Sequence, residues 1–378
     1  MKIVVAIDSF KGSMTSMEAG YAISDGIMRV LPEADVSVRP LADGGEGTVD
    51  ALVSGMNGVP VTVTVTGPLG TPVSAKYGII RETKTAIIEM SAAAGITLVS
   101  DSERNPLNTT TYGVGELIRD AVLRGCRNFI IGIGGSATND CGVGMLQALG
   151  FGMLDANGNQ VEGGARGLEF IEQITDDNVM PQLLECSFHI ACDVTNPLCG
   201  EEGCSAVYGP QKGADAAMVM QMDSWIEKFA ALTKEKYPEA DKEFPGTGAA
   251  GGLGYAFMAY LNGMLEPGIE IILRETELEE YIKDSELVIT GEGRIDFQTS
   301  FGKAPAGVAA LAKKYSIPVI AFAGSVTKDA VECNKHGIDA FFPILRGICT
   351  LEEAMNTQNA KENLTDTAEQ VMRLWSIG

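Results

Sequence analysis

At 378 residues and 39.9 kDa the chain has room for two domains or one large one, and 45% apolar against 21% charged residues fits a globular protein with a substantial core. A formal net charge of −22 speaks against nucleic acid and anionic membrane surfaces, which are bound by meeting phosphates with Lys and Arg. A small anionic substrate stays admissible where local cations or a metal ion receive it.

Lys2 to Ile7 is a β-branched run that ends in the loop Asp8-Ser9-Phe10-Lys11-Gly12. Thr15-Ser16-Met17-Glu18 has capping-box spacing, and Ala19, Ile23, Ile27 and Val30 follow at helical intervals up to Pro32. Val36 to Leu41 reads as a second strand, with Asp43-Gly44-Gly45-Glu46-Gly47-Thr48 leading into another helix. Near residue 60 the pattern changes: VPVTVTV alternates, GPLGTP turns, and AKYGII and TAIIEM complete an antiparallel meander. A helix over about 111–124, the strand FIIGIGG and the strand FHIACDV come next. GAAGGLG then precedes an apolar helix whose Phe257, Met258 and Tyr260 read as core. From about 287 the parallel signature returns with ELVITGEG, a helix from Pro305 to Lys314, IPVIAFAG and AFFPIL, and the tail from Leu351 to Trp375 is helical.

The expected architecture is two α/β domains. A doubly wound, flavodoxin- or Rossmann-like parallel-sheet domain uses both chain ends (1–60 plus 281–378), and a mixed-sheet α/β domain (61–280) is inserted. No stretch of 18 apolar residues and no secretory signal occurs, and the eight cysteines lack a C-x-x-C pair, so reduced thiols in the cytoplasm are expected. Two histidines, His189 and His336, speak against a His-rich zinc site and a His-based triad.

Five segments place Gly, Ser, Thr, Asp or Lys after a strand: DSFKGS (8–13), ADGGEGT (42–48), GIGGSATND (132–140), CDVTNP (192–197) and TGEGRID (290–296). Ligands of open α/β sheets bind beyond the carboxyl ends of strands, which makes these loops the candidate site. GIGGSATND reads as an anion cradle formed by Gly134, Gly135 and Ser136, as a structural tight turn, or as a weak dinucleotide fingerprint. Lys11 and Lys303 each precede an expected helix start, where free N–H groups and a full charge suit phosphate or carboxylate, against the alternative of solvated surface lysines. Asp8, Asp43, Glu46, Asp193, Glu292 and Asp296 all follow strands, where Asp beside Gly is also ordinary turn chemistry. Asp193 and Asp296 are the preferred functional pair, as Mg²⁺ ligands or as acceptor of a hydroxyl proton, with Asp43 a further metal candidate.

With these loops laid out, the sequence resembles the type I glycerate kinase family. The matching stretches are AIDSFKGSMTSMEA, PLADGGEGTVDAL, EMSAAAGI, GIGGSATNDCGVGMLQALG, CDVTNPLCG, YGPQKGA, GAAGGLG and LVITGEGRIDFQT, in order along nearly the whole chain. The resemblance implies ATP-dependent phosphorylation of D-glycerate with Mg²⁺, at a cleft between two α/β domains, and similar bacterial enzymes are associated with the 2-phosphoglycerate product.

Residue roles then follow from the chemistry of those substrates. Arg294 pairs with a carboxylate or phosphate, and Ser91, Asp8 and Asn196 contact glycerate. Gly44, Gly45, Gly134, Gly135, Ser136, Gly291 and Gly293 bring backbone close to the nucleotide, and Thr299 and Lys303 meet its phosphates. Asp296, Asp193 and Lys11 are the catalytic candidates. The alternatives are a 3-phosphoglycerate-forming enzyme, a kinase for another small hydroxy acid, a catalytically silent sugar-acid sensor, or an NAD-dependent dehydrogenase using GIGGSA. A homo-oligomer is compatible with the sequence.

Overall fold

The computed structural model describes every residue except Asp43, Glu46, Phe301, Gly302 and Gly378. The N-terminal apolar run is β1 (Lys2–Ile7), and α1 (Ser16–Met28) opens on its capping box, with Glu18 N donating to Thr15 Oγ1 at 3.2 Å and Thr15 N donating to Glu18 Oε2 at 3.0 Å. β2 (Asp35–Pro40) and α2 (Thr48–Gly55) follow. The alternating segment makes β3 (Val59–Thr66) and β4 (Pro72–Ile80), with β5 (Thr85–Glu89) beside them. Next come α3 (Ser91–Ala94), α4 (Tyr112–Leu123), β6 (Asn128–Gly132) and α5 (Val143–Ala148). β7 (Gly152–Leu154) pairs with β8 (Gln173–Thr175), and β9 (Ser187–Ala191), α6 (Cys204–Tyr208), α7 (Ala216–Lys236), α8 (Ala249–Leu261) and β10 (Met264–Glu266) continue. The chain ends with α9 (Gly268–Glu275), α10 (Leu278–Ile282), β11 (Leu287–Ile295), α11 (Ala304–Lys314), β12 (Val319–Val326), β13 (Ala340–Pro343), α12 (Leu351–Met355) and α13 (Thr357–Trp375).

These elements form two compact units. The first comprises Met1–Asp43, Asp50–Asn57 and Ile269–Gly378, and the second Gly44–Val49 and Gly58–Gly268. In the first, an all-parallel sheet runs β13-β12-β11-β1-β2. Ile3, Val5 and Ile7 alternate onto one face, in a core with Ile23 and Ile27 of α1 and Leu364 and Met372 of α13. Gly26 lets those two helices touch, since a Cβ there would lie 2.4 Å from Thr365 O. α11 packs across β1, β11 and β12, so the sheet is wound on both faces. The chain moves from β1 to β2 in one direction and from β11 to β12 in the other, which puts the topological switch point at the ends of β1 and β11.

The second unit holds a six-stranded sheet, β10-β9-β6-β5-β4-β3. β3, β4 and β5 are antiparallel, whereas β5, β6, β9 and β10 are parallel. Its core is aromatic at the centre, where Phe129 and Phe188 stack with ring centroids 4.9 Å apart. All eight cysteines are free thiols. No helix among the described residues is long and apolar enough to cross a membrane.

Three local expectations change. TGEGRID is not a loop up to Asp296, because β11 continues to Ile295 and pairs Arg294 with Ser325 and Ile295 with Val326 of β12. The C-terminal helix is interrupted at Asn356 (φ −64°, ψ 121°), whose side chain caps α13 by accepting from Asn359 N. The apolar helix begins inside GAAGGLG, where Ala250, Gly251 and Gly252 take left-handed angles (φ 53°, 68° and 88°).

Candidate active site

In the first unit the polar residues gather at the switch point. Asp8 is buried, its N–H donates to Gly291 O at 2.9 Å, and its Oδ1 accepts from Ser9 N at 2.6 Å. Lys11 is exposed on a turn closed by reciprocal bonds between Phe10 and Met14 (2.9 and 3.0 Å), so a turn and the cap Thr15 separate it from the start of α1. Gly293 lies over this turn, 3.6 Å from Phe10 Cα and 3.7 Å from Lys11 N measured from an added Cβ, so a side chain would fit there. Gly291 is different. At φ +150° its Cβ would stand 1.9 Å from Phe322 O, so its glycine serves the approach of β12 and not that of a ligand.

The end of β11 then forms an acid–base network. Thr299 Oγ1 donates to Glu292 Oε1 at 2.6 Å and accepts from Asp296 N at 3.2 Å. Lys303 Nζ stands 3.8 Å from Glu292 Oε2, and Arg294 Nε 3.5 Å from Asp296 Oδ2. Gln298 N fixes Asp296 Oδ1 at 3.0 Å. Lys303 is itself the N-cap of α11, with Pro305 in the first turn, so its charge sits where that helix offers free N–H groups. Thr299 is fully buried and its hydroxyl is spent on Glu292, so it positions that carboxylate and does not reach a phosphate. Glu292 stood among the six strand-end carboxylates of the sequence but outside the preferred pair, although its place two residues before Arg294 on one strand was a usable signal.

In the second unit the register Glu89↔Gly132↔Ala191↔Glu266 aligns the carboxyl ends of four parallel strands, and the loops that follow lie side by side. Gly135 (φ +73°) places its backbone over Ser91, 3.6 Å from Ser91 Cβ to an added Cβ, and Gly134 and Gly135 are exposed. The loop is held by Ile96 N to Gly135 O (2.8 Å) and Ala137 N to Ala94 O (2.9 Å). Gly44 caps the ends of β6 and β9, since a Cβ there would lie 2.5 Å from Ala191 Cβ, and Gly45 O accepts from Thr48 Oγ1 at 2.8 Å. Asp193 is exposed and its Oδ1 accepts from Gly268 N at 2.9 Å. Asn196 accepts from Tyr208 Oη at 2.6 Å and donates to Glu202 O at 2.8 Å, so both ends of its amide help to shape its own loop. Asp43 lies outside the described residues.

Beneath the Gly134–Ser136 loop lies Lys212, which sequence reasoning did not single out although YGPQKGA was in view. Its Nζ donates to Ser136 Oγ at 2.8 Å and to Thr138 O at 2.6 Å, and burial pushes its pKa down to about 8. Asp140, fully buried, accepts from Thr111 N, Thr111 Oγ1, Gly142 N and Gly144 N at 2.8 to 3.3 Å. Burial holds its carboxyl above the usual range, against the pull of those donors. GAAGGLG braces the same loop: Cys141 N donates to Gly251 O at 2.9 Å, and a Cβ on Gly251 would stand 2.1 Å from Thr138 O. No helix opens directly after GIGGSA, because α5 starts only at Val143. A dinucleotide fingerprint needs that helix N-terminus at the pyrophosphate, so the dehydrogenase reading loses its physical basis.

The family model for the glycerate kinase family matches residues 3–376. The chain belongs to the glycerate kinase family. It is 47% identical over 378 residues to the glycerate 2-kinase of Escherichia coli (strain K12), covering 100% of this chain and 99% of that one. It is 46% identical over 371 residues to the glycerate kinase of Bacillus subtilis (strain 168), covering 98% and 97%. A crystal structure from Salmonella typhimurium LT2, described as a candidate glycerate kinase 2, superposes with a TM-score of 0.93 at 47% identity, covering 100% of this chain and 99% of that one. Family membership and the α/β architecture expected from the loops therefore agree.

Proposed function

We propose that this glycerate kinase family member transfers the γ-phosphoryl group of ATP to the 2-hydroxyl of D-glycerate, giving 2-phospho-D-glycerate and ADP in the cytoplasm. The observation that carries the reading is the end-to-end match to a glycerate 2-kinase, together with the grouping of family-matching loops at the carboxyl edges of parallel strands in each unit. Phosphoryl transfer needs positioning and charge neutralisation more than covalent chemistry, so a site built from carboxylates, lysines and backbone N–H groups suffices.

Asp296 takes the proton of the attacking hydroxyl as the new O–P bond forms and the bond from the γ-phosphorus to the β,γ-bridging oxygen breaks. Its carboxylate is held for this by Gln298 N, with Arg294 beside the other oxygen. Arg294, Lys11 and Lys303 supply the positive charge that the carboxylate of glycerate and the phosphates of ATP require. Gly134, Gly135 and Ser136 present a loop against Ser91 that suits an anionic oxygen. Among the described residues no group of three or more carboxylate, imidazole or thiol side chains converges. Mg²⁺ that travels with nucleotide phosphates takes only one or two protein carboxylates, and the candidates to hold it are Asp193 in the second unit or, in the alternative to its role as proton acceptor, Asp296 in the first. When bound, it neutralises charge on the transferring phosphates.

The test is ADP release in a coupled assay with MgATP and a panel of D-glycerate, L-glycerate, glycolate and tartronate. ADP formed in proportion to D-glycerate is the expected result. Release with another hydroxy acid in preference, or none from folded protein, would sink the assignment.

A further inference from the structure

Lys212 is 2% exposed, and among the described residues no carboxylate stands within ion-pair distance of its ammonium. Its two hydrogen bonds go to neutral oxygens, Ser136 Oγ and Thr138 O. The ionisable groups that face it are Cys204 and Asp140. Burial holds the Cys204 thiol up at about 11, which keeps it neutral, and the Asp140 oxygens are taken up by Thr111, Gly142 and Gly144 and make no ion pair with Lys212, so the ammonium has no direct counter-charge. A buried unpaired ammonium costs several kcal/mol that an apolar side chain of similar volume would not. The fold carries that cost directly under a loop that shows two exposed glycines to solvent.

The direction of the hydrogen bond is informative. An ammonium has donors only, so Ser136 Oγ must accept from it, and the serine's own hydrogen is turned away from Lys212. Ser136 is only 8% exposed and directly follows the exposed Gly134 and Gly135, and its hydroxyl makes no other hydrogen bond among the described residues, so that hydrogen is left for a bound oxygen. The loop also keeps two buried oxygens, Thr138 Oγ1 and Asn139 Oδ1, without a hydrogen-bond partner, which marks it as a segment not optimised for stability alone.

Building on the phosphoryl-transfer reading, we infer that Lys212 is a positioning residue of the anion site. It holds Ser136 as an outward hydrogen-bond donor and supplies, from beneath the Gly134–Ser136 loop, the positive charge that a bound anionic oxygen completes. That oxygen belongs to the carboxylate of glycerate or to a phosphate of the nucleotide.

Isothermal titration of the full chain with D-glycerate alone and with ADP alone separates the two sources. The proteins compared are wild type, Lys212→Met, Ser136→Ala, the double variant and Ser136→Thr. A hydrogen bond to a charged partner is worth enough that each single variant should weaken one ligand by roughly tenfold or more and leave the other within about twofold. The double variant should be no weaker than the worse single by more than about threefold, because the two residues act as one unit. Ser136→Thr, which keeps the hydroxyl, should restore binding to within about threefold of wild type. Glycerate as the affected ligand assigns the loop to a carboxylate, and ADP assigns it to phosphate. Losses that multiply in the double variant, equal losses for both ligands, or wild-type binding in folded Lys212→Met would each overturn the inference. Ser136→Ala leaves the lysine in place and reads the same relay should Lys212→Met fail to fold. A wild type that shows the binding pattern without turning over D-glycerate would sink the kinase reading and leave the role of Lys212 standing.

Discussion

Replacing Lys212 by methionine should change the sign of its effect on stability between neutral and alkaline pH. The folded lysine titrates at about 8 against an ordinary 10.5. The unfolded chain therefore binds more protons between those values, and wild-type stability rises as pH climbs from about 8 towards 10.5. At pH 7 the charge costs about 3 kcal/mol, and at pH 10 less than about 1 kcal/mol. Methionine removes that cost, fills a similar volume, and gives up the two hydrogen bonds to Ser136 and Thr138 at about 1 kcal/mol each. The variant should thus be about 1 kcal/mol more stable than wild type at pH 7 and about 1 kcal/mol less stable at pH 10. Urea unfolding reads this directly through Trp225 in α7, in a Trp375→Phe background that silences the other of the two tryptophans. A difference of one sign at both pH values, or a loss beyond about 3 kcal/mol at pH 7, would show that the buried charge is not what Lys212 costs the fold.

Asp296→Asn should lower kcat by roughly a hundredfold or more with the fold intact, the scale of lost acid–base catalysis; near-normal turnover would move the role to Asp193. Gly291→Ala brings a Cβ to 1.9 Å from the backbone oxygen of Phe322, and since neither strand can yield, a loss of roughly 3 kcal/mol or more is expected in chemical denaturation. A midpoint within error of wild type would mean that β11 and β12 tolerate separation. Asp140→Asn puts an amide among donors that now share the two carboxylate oxygens, and should cost about 3 kcal/mol by the same measurement. An unchanged midpoint would show that the carboxyl is already neutral and donating.

Strand positions were legible because apolar periodicity is a local property, and Lys2–Ile7, the alternating meander and Val319–Val326 all declared themselves. The end of β11 did not. Gly291 and Gly293 read as loop punctuation, but they stay in the sheet because β12 supplies backbone partners that no local signal announces. The same reason hides what Thr299 and Asn196 do: side-chain polarity was visible, while the acceptors and donors that consume it come from elsewhere in the fold. Lys212 was hidden because a lysine reads as solvated until its burial is known, and burial depends on the loops that α8 and β6 bring over it.

Phosphorylation of D-glycerate at its 2-hydroxyl is read directly from a ³¹P NMR spectrum of the protein incubated with D-glycerate and MgATP. The expected result is a phosphomonoester resonance that grows with ADP and is split into a doublet by the single proton at carbon 2. A triplet would place the phosphate on the 3-hydroxyl, and a spectrum of unreacted ATP from folded protein would contradict the assignment of a glycerate kinase activity to this chain.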